Sequence, residues 1–100
     1  MTGWLTGSIV ITHDVGLHAR PSVKLTKLAK SFESAVEIAA SPDGPWIDAK
    51  SIVKVMAMKV RQDSTLHLRA KGSDAKIALV GLVALVERDF QEDTSHAADA

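Results

Sequence analysis

TLHLRA, Thr65 to Ala70, alternates apolar and polar residues without a break. Successive side chains of a strand point to opposite faces, so Leu66, Leu68 and Ala70 share one face and His67 looks the other way, toward solvent. Such a strand needs a sheet that is covered on one side and wet on the other, which is the habit of antiparallel sheets. The rest of the chain has to supply its neighbours and its cover.

The neighbours are legible. LTGSIVIT, Leu5 to Thr12, is rich in β-branched residues and carries Ile9 and Ile11 at alternate positions, which predicts a first strand. AVEIAA, Ala35 to Ala40, alternates again; SPDGP then turns the chain and WID resumes it, which predicts a hairpin. The cover comes from helical spacing. Leu25, Leu28, Ala29 and Phe32 recur along Ala19 to Phe32, with Lys24, Lys27 and Lys30 on other faces. Ser51 to Met58 begins on a residue suited to an N-cap and returns to apolar residues at Ile52, Val55 and Met56, which predicts a short second helix. A last, unusually apolar helix is predicted from about Ser73 to Asp89, with Ala78, Leu79, Leu82, Leu85 and Val86 for the core and Ile77, Val80 and Val83 left over. The order β, α, β, β, α, β, α is an α+β plan, one antiparallel sheet with helices on one face. Residues 1–90 read as a single domain and 91–100 as a polar flexible tail.

Composition removes several function classes. The chain has 100 residues, with 12 basic and 12 acidic side chains and a formal charge of zero, so a dedicated nucleic-acid binder with a broadly basic surface is disfavoured. There is no cysteine, hence no disulfide, thiol nucleophile or thiolate metal site. His13 and His18 stand without a carboxylate or third imidazole at metal-ligand spacing, and no metal or cofactor is predicted. The N-terminus lacks the pattern of a secretory signal or membrane span, which points to a cytoplasmic protein without membrane insertion.

Chemistry gathers in GLHARPS, Gly16 to Ser22. Proline is tolerated in the first turn of a helix, because the N–H it lacks would be unpaired there anyway. Pro21 therefore marks a helix that starts at or just after His18. The imidazole and the Arg20 guanidinium then stand beside free backbone N–H groups at the positive end of a helix dipole, where an anion is welcome. Gly16 lets the backbone bend tightly just before the histidine.

GLHARP ahead of an amphipathic helix, followed after a hairpin by AKSIVKVM, resembles the HPr family, the histidine-containing phosphocarrier proteins of the bacterial phosphoenolpyruvate-dependent phosphotransferase system. The resemblance runs from roughly Gly7 to Phe90. It implies an HPr-like open-faced β-sandwich of four antiparallel strands with three helices on one face. It also implies that His18 accepts a phosphoryl group on Nδ1 from enzyme I and passes it to EIIA- or EIIB-type acceptors, with Arg20 steadying the phosphoryl oxygens and Pro21 holding the turn. A carrier of this kind is not itself an enzyme.

Ser51 matches a family position that an HPr kinase/phosphorylase modifies in some bacteria, although capping alone accounts for a serine there. Lys27, Lys30 and Lys54 match basic positions of enteric-type relatives. Together with Lys24 they make a basic rim around an apolar centre of Ile52, Val53 and Met56, suited to fast, transient docking of acidic partners. Three departures stand out. Lys59 replaces a helix-ending glycine, so the second helix is expected to run longer or to end on a different shape. The SPDGP turn is about two residues longer than in common relatives, and Trp46 follows it on a predicted edge strand. Two other function classes remain: an enzyme using His18 alone, and a regulator acting through protein binding and serine phosphorylation.

Overall fold

The computed structural model describes residues 3–11 and 19–88. Seven elements follow in the predicted order: β1 (Leu5–Val10), α1 (Ala19–Lys30), β2 (Ala35–Ala39), β3 (Ile47–Asp48), α2 (Ile52–Ala57), β4 (Thr65–Lys71) and α3 (Ala75–Glu87). The four strands form one sheet in the order β1-β4-β2-β3, and every pair is antiparallel.

TLHLRA becomes β4, an inner strand. Its register sets Leu68 opposite Gly7 on β1 and Ile38 on β2, and Ala70 opposite Leu5 and Val36. Leu66, Leu68 and Ala70 are fully buried, as the alternation requires. Against this face pack Leu25 and Ala29 of α1, Val55 of α2 and Ala78, Leu82, Leu85 and Val86 of α3, in one continuous core. Each buried leucine or valine there contributes about 1.5–3 kcal/mol. Ile11 is fully buried just past β1, where its N–H donates to the Ser64 carbonyl and its carbonyl accepts from Asp63.

Element ends differ from the sequence reading for local reasons. α1 stops at Lys30 rather than Phe32, because the Ser31 and Phe32 amides reach back only three residues, to the Leu28 and Ala29 carbonyls. The Ser31 hydroxyl also donates to the Leu28 carbonyl, competing with the helix. α2 ends at Ala57 and is not extended: Lys59 itself takes the left-handed conformation, φ 53°, that glycine usually supplies after a helix. α3 begins at Ala75, two residues later than predicted, because Asp74 (φ −111°, ψ 26°) is still non-helical. β3 keeps only Ile47 and Asp48 of WID. Thr12, Asp89 and the 91–100 tail lie outside the described residues.

The other face of the sheet is not uniformly wet. Register places Ala39 beside His67 on that face, yet Ala39 is fully buried. Trp46, half-buried, leans from the 40–46 turn across β2 toward β4, where its ring stacks on the Arg69 guanidinium at 4.3 Å. Among the described residues no helix is long and apolar enough to cross a membrane.

Candidate functional site

The motif at the start of α1 is described from Ala19 onward; Gly16 and His18, like His13, lie outside the described residues. In the chain, His18 directly precedes Ala19, the first residue of α1. Arg20 is exposed in that first turn, while Pro21 and Ser22 are fully buried beneath it. The proline ring thus anchors the turn in the core and leaves the guanidinium outside. No acidic residue stands in the first turn of α1, so no side chain there opposes an incoming anion.

α2 packs beside α1 and brings the second motif to the same side of the molecule. Ser51 caps α2: its backbone is extended (φ −104°, ψ 110°) and its Oγ accepts from the Lys54 N–H at 3.4 Å. Beyond the cap, Val53 is 75% exposed and Met56 41%, Ile52 is half-buried, and Val55 alone turns fully into the core. Lys27, Lys30 and Lys54 are all exposed. A groove of about 330 Å³ between the helices is lined by Val23, Thr26, Lys27, Lys30 and Ile52. The structure therefore joins Lys27, Lys30 and Ile52 in one groove, while Val53, Lys54 and Met56 stand outside it on α2.

Two contributors to this groove escaped the sequence reading. Val23, 53% exposed, extends the apolar centre onto α1; its place one turn before Lys27 was the available signal. Thr26 is almost fully buried, and its hydroxyl finds no hydrogen-bond partner among the described residues.

Residues 5–88 match the family described as "PTS HPr component phosphorylation site", a span that includes His18, Arg20 and Ser51. The phosphocarrier protein HPr of Cupriavidus necator is 43% identical over 82 residues, 82% of this chain and 90% of that protein. The chain belongs to the HPr family. The phosphocarrier protein NPr of Proteus mirabilis, 33% identical, matches 85% of this chain and 93% of its own length. Among solved structures, HPr-C-His from Thermoanaerobacter tengcongensis superposes with a TM-score of 0.81 at 34% identity, covering 89% of this chain and 98% of that one. The four-stranded open sheet with three helices is accordingly the HPr fold. Membership makes the chain a phosphocarrier of the phosphotransferase system.

Proposed function

We propose that His18 is the phosphoryl acceptor, charged by phosphorylated enzyme I and discharged onto EIIA- or EIIB-type acceptors. The observation that supports this most directly is the build of the first turn of α1. The turn that follows His18 in the chain is pinned by buried Pro21, presents Arg20 to solvent and carries no opposing carboxylate. A neutral imidazole is a competent nucleophile. Its Nδ1 lone pair bonds to phosphorus as the donor's P–N bond breaks, and the return step hands phosphorus to the next protein's histidine or cysteine. Arg20, a planar cationic fork, lowers the cost of charge gathering on the phosphoryl oxygens during each crossing. Gly16 lets the chain bend ahead of the histidine and Pro21 holds the turn; both are structural.

Partners dock on the α1/α2 face, with Ile52, Val53 and Met56 as the apolar centre and Lys27, Lys30 and Lys54 as the rim. In this reading residues 1–90 act as one carrier domain in the cytoplasm, with 91–100 as its tail. Incubation with phosphoenolpyruvate, Mg²⁺ and enzyme I from the same source, read by intact mass, tests it. One acid-labile phosphoryl group, absent in His18→Ala, is the expected result; no gain, or equal gain in the variant, rejects it.

A regulatory reading is supported by Ser51, which stands half-buried at the lip of the same face with its hydroxyl on the first turn of α2. Phosphate there would be tolerated by the helix start while repelling acidic partners. Labelling by an HPr kinase/phosphorylase that disappears in Ser51→Ala is the outcome that supports it, and labelling that persists removes it.

A further inference from the structure

The sheet face away from the helices carries a second groove, of about 280 Å³, lined by Thr6, Gly7, Ser8, Pro42, Trp46 and His67. It exists because the 40–46 turn folds over a face that a plain open sheet leaves to water. One wall is Pro42 and the Trp46 indole, and the floor is His67 of β4. The far side is β1, where Thr6 and Ser8 share the face opposite to core-facing Gly7 and Ile9.

Trp46 is held in place. The Arg69 guanidinium lies 4.3 Å from the Trp46 ring centre and 4.3 Å from that of Trp4, so the cation is stacked against both rings. Glu37 fixes its edge through bonds of 2.8 Å from Nε and 2.5 Å from Nη2. Arg69 is thereby ion-paired with Glu37, and no Lys, Arg, Asp or Glu lines the groove. The lining does carry an indole N–H, an imidazole and two hydroxyls. Among the described residues none of these makes a side-chain hydrogen bond.

We infer that this groove is a binding site for a neutral saccharide ring. An immobilised indole offers an apolar platform for the C–H face of a pyranose, and side chains that both donate and accept fit the hydroxyls around its rim. The absence of charged lining selects against sugar phosphates and acidic peptides. A polyproline-type segment is the poorer fit, because such segments dock in grooves lined with several aromatic rings, and this groove has one. The site lies on the opposite side of the sheet from the α1/α2 face and does not depend on the reading of His18.

An amide NMR titration of the full chain with maltose, following the Trp46 indole N–H and the amides of Thr6, Ser8 and His67, tests the proposal. Saturable shifts at these signals with a Kd on the order of 1 mM are expected. Trp46→Ala should weaken binding at least about tenfold. Ser8→Ala leaves the aromatic stack untouched and should weaken binding about threefold, which decides the matter should the tryptophan variant not fold. No saturable shift at about 100 mM maltose, equal affinity in Ser8→Ala, or saturable binding of an oligoproline peptide in place of maltose would each overturn the saccharide assignment.

Discussion

Ser34 and Asp74, forty positions apart, bind each other through reciprocal hydrogen bonds. The Asp74 carboxylate accepts from the Ser34 N–H at 2.9 Å and from the Ser34 hydroxyl, and the Ser34 hydroxyl oxygen accepts from the Asp74 N–H at 3.2 Å. A further bond of 2.9 Å comes from the Glu33 N–H. The pair fastens the entry of α3 to the turn between α1 and β2. The Ser34 hydroxyl, followed by the Glu33 amide, pulls the Asp74 carboxyl below its usual value. A depressed folded-state value stabilises the protein above the unfolded carboxylate's titration near pH 4, and that stabilisation is lost as pH falls through the lowered folded value. Asp74→Asn should therefore reduce stability in urea at about pH 7 while narrowing the gap between about pH 7 and about pH 3. An unchanged pH profile would show that the latch carries no linkage.

Gly72 sits where the same latch leaves no room. Its φ is +146°, and a Cβ there would lie 2.6 Å from the Ser34 Oγ and 2.8 Å from the Ser34 Cα. Because one obstacle is backbone, rotation of a side chain cannot relieve the clash. Gly72→Ala should cost about 2–3 kcal/mol in urea unfolding and should also disturb the Asp74 bonds.

Lys59 presents the opposite case, a side chain in a conformation that favours glycine. Its φ of 53° closes α2, and its N–H donates to the Met56 carbonyl at 3.2 Å. Lys59→Gly removes the left-handed strain while retaining that bond. A gain of about 0.5–1 kcal/mol, read as a higher midpoint of thermal unfolding, is the expected result.

Arg69 is exposed enough that its ion pair with Glu37 would by itself be weak, at 26% and 29% side-chain accessibility. Contact with two indole rings changes the accounting, since each cation–π contact adds about 0.5–1 kcal/mol. Lysine keeps the charge but loses the flat, stackable fork. Arg69→Lys should lower stability by about 1–2 kcal/mol and weaken the near-ultraviolet circular dichroism of the tryptophans.

Local periodicity made the fold readable. Leu66, Leu68 and Ala70 specify a buried strand face, and Leu25 and Ala29 a buried helix stripe, within windows of a few residues. Ser51 likewise declares itself as a cap from its neighbours alone. The Ser34–Asp74 latch and the Trp4–Arg69–Trp46 stack had no such signal, because each joins residues from distant segments that only the folded sheet brings together. Of the residues predicted as surplus apolar surface on the last helix, Val80 and Ile77 are 62% and 66% exposed, whereas Val83 packs partly against the core. Their alternation with core positions was as visible in the chain as the core itself.

The rim lysines give the last prediction, which rests on the proposed docking face. Lys27 flanks the groove between α1 and α2, and Lys54 stands on the first turn of α2 beside exposed Val53. Neither lies in the core, so reversing their charge should leave the fold intact. Ammonium groups around an apolar centre speed encounter with an acidic partner, and salt screens that effect over about 8–10 Å. Lys27→Glu with Lys54→Glu should slow phosphoryl uptake from enzyme I about tenfold at low ionic strength. The rate should also lose most of its dependence on salt, and the two proteins should converge at high salt. Stopped or timed transfer assays across a salt series measure both effects. Equal rates at low salt would take these two lysines out of the interface, whereas a uniform, salt-independent loss would assign them a contact role rather than a steering one.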